Sequence, residues 1–217
     1  MNIYGNMLDD IILSALREDV GTGDITTETT IPEGRMVHGL YRAKENGVLC
    51  GLGVTERVFQ LINPEIEFRP LATDGARVKV GDIVAGVHGP AGDVLTGERT
   101  GLNLLQRMSG IATRTAEAVK QVEGTKAKIC DTRKTTPGMR ILEKYAVRVG
   151  GGTNHRFNLA DGILIKDNHI VAAGSITNAV RAARANAPHT LKIEVEVETF
   201  EQLDEALAAG ADIIMLD

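Results

Sequence analysis

The sequence predicts an α/β protein in which an N-terminal α+β domain is followed by an incomplete β/α barrel. Two observations lead to this fold class. After Lys126, short apolar segments alternate with one-sided helical patterns, which is typical of a parallel sheet covered by helices. Before Lys126 this rhythm does not occur, and glycines separate short apolar stretches, as in antiparallel strands joined by turns. Because only 3% of the residues are aromatic, we expect an aliphatic core.

The first helix is predicted over residues 7–19, where apolar side chains recur on one helical face. Gly21 and Gly23 follow this helix and are expected to end it. Residues 24–30 are rich in threonine and acidic residues, and we predict a loop there. The next predicted elements are a strand over 37–49, a helix over 53–63, a strand over 66–70 and short antiparallel strands over 73–94.

The longest helical pattern covers residues 96–123, with Thr96 as a candidate N-cap. Internal glycines weaken a helix, so we predict a break near Ser109 and Gly110. The rhythm of the sequence changes beyond this helix, which places a domain boundary within it. The predicted domains are an N-terminal α+β domain over 1–107 and a β/α barrel domain over 108–217.

The barrel domain is predicted to alternate four strands with three helices. The strands are expected over 127–131, 162–166, 191–198 and 212–217, and the helices over 138–149, 175–186 and 199–209. Apolar residues lie on one side of each helix, for example Phe200, Leu203 and Leu207 in the last. A closed barrel needs roughly eight strands. Because the chain stops at Asp217, we expect it to be the front part of a longer protein.

The composition of the chain excludes several classes of function. The formal net charge is −5 and no block of like charge occurs, so we expect no nucleic-acid partner. No apolar run approaches the length of a membrane span, and the N-terminus lacks the apolar region of a signal peptide. The two cysteines, Cys50 and Cys130, show no metal-binding or redox spacing. These features favour a soluble cytoplasmic protein.

Charged residues end each predicted strand of the barrel domain. These residues are Asp131, with Arg133 and Lys134 directly beyond it, then Lys166, Glu196 and Asp217. In a β/α barrel the active site lies at the carboxyl ends of the strands, so this pattern predicts a polar pocket. For the strand that contains Glu196, a half-exposed edge strand with a solvated charged face explains the pattern equally well.

A glycine-rich segment, residues 150–152, precedes His155 and Arg156. The glycines allow a close approach of the backbone to a ligand, although a flexible connector followed by a surface pair is an alternative. Five cationic or potentially cationic residues at the predicted pocket indicate an anionic ligand: Arg133, Lys134, His155, Arg156 and Lys166. Glu196 and Asp217 then need another role, toward hydroxyl groups, a metal ion or a developing positive charge.

The chain contains several long motifs, which are D-T-R-K-T-T-P-G at 131–138, G-G-G-T-N-H-R at 150–156, L-I-K-D-N-H at 164–169, I-M-L-D at 214–217, E-D-V-G-T-G-D-I-T-T at 18–27 and G-E-R-T-G-L-N-L-L-Q-R-M-S-G-I-A-T at 97–113. Together they resemble the motifs of the quinolinate phosphoribosyltransferase family. The resemblance implies the β/α barrel of type II phosphoribosyltransferases. It also implies the substrates quinolinate and 5-phosphoribosyl-1-pyrophosphate (PRPP), and the products nicotinate mononucleotide, pyrophosphate and carbon dioxide.

The resemblance further implies which residues bind quinolinate. Arg133, His155 and Arg156 would hold its two carboxylates, and Thr132 would belong to the same substrate site. Lys134 would contact carboxylate or phosphate. Lys134 is also one candidate for the acid that protonates the carbanion left by decarboxylation.

On the PRPP side, the resemblance implies that Lys166 contacts carboxylate or phosphate. Glu196 and Asp217 would lie near the ribose and its Mg²⁺, where they could stabilise positive charge that develops on the sugar. Arg99 resembles an arginine that the family inserts into the site of a neighbouring subunit. This implies a homodimer, or a higher oligomer built from such dimers.

Three alternatives remain at the level of the sequence. A related phosphoribosyltransferase-like enzyme, such as the one linked to molybdenum transport, would act on another acceptor. A non-catalytic anion-binding fragment is the second alternative, because the family continues past Asp217 into glycine-containing loops that bind the PRPP phosphate. The third is a generic β/α enzyme whose strand ends carry only salt bridges.

Overall fold

The computed structural model describes residues 5–217, which divide into two compact units. The first unit ends at His155 and the second comprises Arg156–Asp217. The domain boundary predicted between residues 107 and 108 rests on sequence rhythm and stays a prediction. Within residues 5–217, no helix is both long and apolar enough to cross a lipid bilayer.

The first unit combines helices with two small antiparallel sheets. In chain order its elements are α1 (Gly5–Val20), α2 (Ile25–Thr30), β1 (Met36–Arg42), β2 (Gly47–Val48), α3 (Leu52–Ile62), β3 (Glu67–Pro70), β4 (Arg77–Val78), β5 (Ile83–Pro90), α4 (Ala91–Gln121) and α5 (Arg140–Val149). One sheet has the order β1-β5-β3, and β2 pairs with β4. The single strand predicted over 37–49 is therefore wrong, because the chain bends at residues 44–45 and enters the second sheet.

Helix α1 buries Leu8 and Ile12 on one face, as predicted, and Gly21 follows its end with a φ of 59°. The loop predicted over 24–30 is wrong, because α2 forms there. Asp24 caps this helix: its Oδ1 accepts the Thr27 N–H at 3.1 Å and its Oδ2 accepts the Thr27 hydroxyl at 2.6 Å. These hydrogen bonds lower the pKa of Asp24 and stabilise the first turn, which threonine-rich composition alone disfavours.

Helix α4 is unbroken over 31 residues. The predicted break near Gly110 is therefore wrong, and so is the N-cap at Thr96, because the helix begins directly after Pro90. Another glycine of α4 has a packing role. A Cβ at Gly97 would lie 2.6 Å from Ile62 Cδ1, so the missing side chain lets α3 pack closely against α4.

Aromatic rings contribute to the core of the first unit, which corrects the expectation of an aliphatic core. Tyr41, Phe59 and Phe68 are buried. The ring centroids of Phe68 lie 5.7 Å from Tyr41 and 5.9 Å from Phe59, which are typical distances for aromatic pairs. Three of the seven aromatic residues of the chain thus pack together where the sheet meets α3.

The segment over 127–131 is not a strand, contrary to the prediction. Cys130 forms one isolated parallel bridge with Thr153, supported by a hydrogen bond from the Asp131 N–H to the Thr153 carbonyl at 3.1 Å. The Thr153 N–H in turn donates to the Ile129 carbonyl at 2.8 Å. Because this isolated bridge is not part of a strand ladder, side-chain contacts are needed to fix the position of the segment.

The second unit shows the predicted alternation of strands and helices. Its elements are β6 (Ile163–Ile165), α6 (Asp167–Ala173), α7 (Ile176–Asn186), β7 (Ile193–Val197), α8 (Phe200–Ala209) and β8 (Ile213–Leu216). The strands form a parallel sheet in the order β6-β7-β8. Because β7 is the central strand, the edge-strand explanation of its charges is wrong. The buried core is aliphatic here, with Ile176, Val180, Ile193 and Val195 almost fully covered.

Two details of the second unit differ from the predictions. The sequence does not predict helix α6; at its start the ring Nδ1 of His169 accepts the Lys166 N–H at 3.1 Å. In α8, Phe200 is 82% and Leu207 is 58% exposed, so the predicted apolar face is wrong. Ala206 is buried instead, with Leu203 packed partly against the same core.

Candidate active site

A buried ion pair holds the start of the loop that carries Arg133. Lys144 Nζ, on α5, lies 2.5 Å from Asp131 Oδ1, and the two side chains are only 4% and 8% exposed. Asp131 also accepts hydrogen bonds from Asn154 Nδ2 at 2.6 Å and from the His155 N–H at 2.9 Å. Lys144 donates a further bond to the His155 carbonyl at 3.0 Å. The pair therefore ties the loop to the segment that carries His155.

The far end of the same loop is held by α4 and α5. Glu143 Oε2 accepts the Thr136 N–H at 3.2 Å, and Arg107 Nη2 donates to the Thr136 hydroxyl at 2.7 Å. Arg107 also forms an ion pair of 2.6 Å with Glu143. Burial of Glu143 opposes its ionisation, but the hydrogen bonds from Arg107 and Thr136 outweigh this effect and lower the pKa of the carboxyl. Nearby, Arg140 Nε donates to the Thr135 hydroxyl at 3.0 Å.

Between these two attachments lie three of the predicted ligands. Thr132 Oγ1 accepts the Lys134 N–H at 3.0 Å, which closes a tight turn, and both residues are exposed. Arg133 is half-buried, and its Nε is a buried donor that has no hydrogen-bond partner among the described residues. A buried donor without a partner costs free energy, so Arg133 is suited to bind an external acceptor.

Arg156, at the start of the second unit, also has a buried donor without a hydrogen-bond partner among the described residues. Its Nη1 donates to the Gly162 carbonyl at 3.0 Å, while its buried Nε has no partner within the described part of the chain. Over residues 5–217, three buried side-chain polar atoms lack a partner, and the third is the Tyr41 hydroxyl. Two of the three therefore belong to the arginines predicted to bind carboxylates.

Three predicted residues of the second unit lie at the carboxyl ends of neighbouring parallel strands. Lys166 follows β6, Glu196 lies near the end of β7 and Asp217 follows β8. Lys166 Nζ forms an ion pair with Glu196 Oε2, with 40% of the lysine and 16% of the glutamate side chain exposed. The Asp217 N–H donates to the Val197 carbonyl at 3.1 Å. The structure thus joins Lys166 to Glu196 and places Asp217 at the next strand end.

The remaining predicted residues are His155 and Arg99, both in the first unit. His155 is half-buried and its backbone is fixed by Asp131 and Lys144, whereas Arg99 is exposed on α4. The convergence of all five cations on one pocket stays a prediction. Among residues 5–217, no group of three or more His, Cys, Asp or Glu side chains is arranged to hold a metal ion.

The sequence reasoning missed the residues that hold the loop. The sequence predicts only a charge at a strand end for Asp131, and it indicates no role for Glu143 or Lys144. One signal was present: Arg140, Glu143 and Lys144 stand three and four residues apart, which places them on one face of a helix. Two of these charged residues are buried, and only the structure shows what they contact.

Comparison with protein families assigns nearly the whole chain. Residues 24–109 match the N-terminal domain of quinolinate phosphoribosyl transferase, and residues 111–217 match its C-terminal domain. The two matches follow each other without overlap, in the order in which the resembling motifs occur.

Individual relatives agree with this assignment. The chain is 52% identical to a probable nicotinate-nucleotide pyrophosphorylase (carboxylating) of Bacillus subtilis, over 92% of this chain and 69% of the relative. It is 50% identical to the corresponding protein of Mycobacterium leprae, over 96% and 74%. The crystal structure of NadC from Streptococcus pyogenes matches with a TM-score of 0.92 and 49% identity, over 97% of this chain and 74% of that one. The chain therefore belongs to the quinolinate phosphoribosyltransferase family.

Proposed function

We propose that the protein transfers the phosphoribosyl group of PRPP to quinolinate and removes one carboxylate, as a carboxylating pentosyltransferase of NAD biosynthesis. The products are nicotinate mononucleotide, pyrophosphate and carbon dioxide. The names of the relatives support this activity, since they are carboxylating nicotinate-nucleotide pyrophosphorylases. The structural observation that carries the proposal is the pair of arginines, Arg133 and Arg156, whose buried Nε atoms have no partner among the described residues.

The residue roles on the quinolinate side follow from chemistry. A guanidinium donates two parallel hydrogen bonds to a carboxylate, so Arg133 and Arg156 are each suited to bind one. His155 adds a further donor, and its backbone is held by hydrogen bonds to Asp131 and Lys144. Thr132 and Lys134 are exposed beside Arg133 and are proposed to contact the same substrate.

On the PRPP side, we assign roles to the strand ends of the second unit. Lys166 binds phosphate or carboxylate oxygen, and Glu196 and Asp217 face the ribose. Carboxylates accept hydrogen bonds from sugar hydroxyls, and they stabilise positive charge on the ribose ring when pyrophosphate departs. The ion pair of Lys166 with Glu196 keeps both side chains in place at the ends of β6 and β7.

Mg²⁺ is proposed to accompany PRPP. This ion prefers oxygen ligands and is usually held by one or two carboxylates together with substrate phosphates and water. Glu196 and Asp217 fit this requirement, because they are carboxylates at the ends of adjacent strands, whereas a complete protein cage does not occur among the described residues. The ion would neutralise charge on the leaving diphosphate, and the residues of the chain perform the steps described next.

The reaction has two bond-breaking steps. The pyridine nitrogen of quinolinate attacks C1 of the ribose, and the bond from C1 to the pyrophosphate oxygen breaks with its electron pair. The resulting pyridinium is an electron sink, so the bond to the adjacent carboxylate breaks and leaves its electron pair on the ring carbon as carbon dioxide departs. A proton then completes the product. The Lys134 ammonium is proposed as its source, because it is exposed next to Arg133.

A homodimer in which Arg99 reaches the site of the neighbouring subunit is part of the proposal. Its support is the exposure of Arg99 on the surface of α4. Mixing the Arg99→Ala and Arg133→Ala proteins would test it. In a mixed dimer one of the two sites regains both arginines, so we expect roughly a quarter of the wild-type activity if subunits exchange freely. No gain on mixing would contradict the insertion of Arg99.

A cytoplasmic location is likewise proposed, and cell fractionation would test it. The support comes from the cysteines, since Cys50 is buried, Cys130 is exposed and both are free thiols. Free thiols fit a reducing compartment. Recovery of the protein in a secreted or membrane fraction would contradict this location.

The decisive experiment measures carbon dioxide released from carboxyl-labelled quinolinate in the presence of PRPP. Arg133→Ala and Arg156→Ala should each weaken quinolinate binding about 10- to 100-fold, since each removes charge-assisted hydrogen bonds. Arg114→Ala and Arg181→Ala are matched controls, because these arginines are exposed. If PRPP is consumed with another acceptor and no carbon dioxide forms, the protein is instead a related transferase. Quinolinate binding without turnover would indicate an anion-binding protein.

A further inference from the structure

Three charged residues in the first turns of α5 contact both ends of one loop. Arg140, Glu143 and Lys144 are spaced so that they share a face of the helix. Lys144 contacts Asp131 at the start of the loop, and Glu143 contacts Thr136 at its end. We call the chain from 131 to 136 the anion loop and these three residues its anchor face.

The anchor face rests on a rigid base. Ile141, Leu142 and Ala146 of α5 are buried, the last two completely. Tyr145, next to Lys144, donates a hydrogen bond to Asp74 Oδ2 at 2.9 Å, and Asp74 Oδ1 accepts the N–H groups of Gly51 and Leu52 at the start of α3. The helix is therefore fixed from both sides within the first unit, and its charged residues have little freedom to move.

The burial of the ion pair between Lys144 and Asp131 needs an explanation. Removing two charges from water is costly, and replacing such a pair with apolar residues is often neutral or stabilising. Stability alone is thus a weak reason for this pair. Its hydrogen bonds point to another role, because they reach Asn154 and both the N–H and the carbonyl of His155. The pair fixes the backbone of the anion loop relative to that of His155.

We propose that the anchor face of α5 positions the anion loop for quinolinate. Lys144 and Glu143 fix the two ends of the loop, and Arg140 adds a bond to Thr135, so that Arg133 is held before the substrate arrives. This inference rests on the proposed function. It assigns Arg140, Glu143 and Lys144 as positioning residues that act through Arg133 and do not touch the substrate.

The physical basis is preorganisation. The anion loop has no strand ladder, since Cys130 makes only an isolated bridge before it. A flexible loop would have to order its arginine on binding, which weakens affinity. A displacement of about 1 Å in a binding group can reduce the rate about 100-fold. The buried ion pair of Lys144 with Asp131 and the carboxylate of Glu143 supply the directional constraint that the missing ladder would have provided.

A single variant and a double variant separate the positioning of the anion loop from the stability of the protein. Lys144→Met leaves the Asp131 carboxylate buried and without its ammonium, so both thermal stability and quinolinate affinity should fall. Adding Asp131→Asn removes that charge and should restore much of the melting temperature. If the anchor face positions the loop, quinolinate affinity in the double variant stays about 10- to 100-fold below wild type, with PRPP affinity changed less than threefold. Recovery of quinolinate affinity together with the melting temperature would overturn the proposal.

Glu143 offers a conservative comparison. Glu143→Gln keeps an acceptor for the Thr136 N–H but removes the charge that pairs with Arg107, so we expect a loss of quinolinate affinity of about 3- to 10-fold. Glu143→Ala removes the acceptor as well and should lose more. Glu117→Gln is the matched control, since this glutamate is exposed on α4 and pairs with Arg114. Equal affinities for the Gln and Ala variants of Glu143 would contradict a graded positioning role.

Amide hydrogen exchange tests the same inference without any substrate. In the Lys144→Met, Asp131→Asn double variant, the amides of residues 132–136 should exchange at least tenfold faster than in wild type, while those of β1 and β5 keep their rates. Unchanged exchange in the anion loop would refute positioning even if the protein binds quinolinate. Conversely, failure of the wild-type protein to bind quinolinate would refute the proposed function, whereas faster loop exchange would still support the anchor role.

Discussion

The anion loop of the first unit and the strand ends of the second unit hold their charged residues in different ways. In the second unit, Lys166 and Asp217 directly follow strands of a regular parallel sheet, so backbone hydrogen bonds place them. In the first unit, the segment before Arg133 makes a single bridge, and the buried ion pair of Lys144 with Asp131, together with the hydrogen bond from Thr136 to Glu143, places the loop instead. Where a strand ladder is present, backbone hydrogen bonds place the charged residues; where it is absent, charged side chains themselves hold the chain in position.

The largest expected difference concerns the two lysines of the ion pairs. Lys144→Met should lower the free energy of unfolding by about 3–5 kcal/mol, because it leaves a buried carboxylate without its partner. Lys166→Met should cost about 1 kcal/mol or less, since this side chain is 40% exposed. Urea unfolding at neutral pH measures both. Similar losses for the two variants would show that the two regions are stabilised in the same way.

The next comparison concerns apolar residues that precede the charged ones. Ile193→Ala, in the central strand β7, should cost about 2–5 kcal/mol, because its side chain is almost completely buried. Ile129→Ala, before the anion loop, should cost about 1 kcal/mol, because Ile129 is only half-buried. The midpoints of urea denaturation report the difference. A cost at Ile129 as large as that at Ile193 would mean that core packing, and not ion pairs, holds the loop.

A smaller effect should appear in the pH dependence of stability. The pKa of Glu143 in the folded protein lies below the ordinary value of 4.5, so the folded state favours its ionised form. The stabilisation is therefore fully present above about pH 4.5 and is lost as the pH falls through the folded pKa. The stability advantage of wild type over Glu143→Gln should shrink between pH 6 and pH 3. An advantage that grows over this range would contradict the ion pair with Arg107.

The smallest expected effect tests the helix that supplies Arg107. Gly110→Ala should stabilise the protein by about 0.5–1 kcal/mol, because a Cβ there meets no atom within 4 Å and alanine favours the helix. Gly97→Ala is the matched comparison and should destabilise by about 1–3 kcal/mol, since its Cβ would clash with Ile62. Thermal unfolding distinguishes the two. If Gly97→Ala stabilised the protein, this would show that α3 can move away from α4 at little cost in free energy.

The contrast between the regions also explains which features could be predicted from the sequence. The strands of the second unit follow from local periodicity, because each short apolar run forms a strand and each one-sided pattern forms a helix. The structure of the anion loop does not follow from periodicity, since Asp131 contacts Lys144 and Asn154, which are 13 and 23 positions away in the chain. Periodicity reports only on neighbours in the chain, and it carries no information about such pairs.

The same limit explains why the break predicted in α4 near Gly110 is wrong. A glycine within a helical pattern lowers the local preference for helix, and this is all that the sequence shows. Whether the helix breaks also depends on how the residues around the glycine pack. A Cβ at Gly110 would meet no atom within 4 Å, but Met108 and Ala112 on either side of it are completely buried, and their packing holds the helix together across the glycine. The motifs predict the candidate ligands, whereas the residues that hold them in place are apparent only from the three-dimensional structure.

The unbroken course of α4 has a mechanical consequence. Arg99 and Arg107 lie on this one rod, about 12 Å apart along its axis at ~1.5 Å per residue. Arg99 is the side chain proposed to enter a neighbouring subunit. Arg107 donates a hydrogen bond to Thr136 in the anion loop of its own subunit. A displacement of α4 along its axis moves Arg99 and Arg107 together. A force that acts on one of these arginines is therefore transmitted to the other.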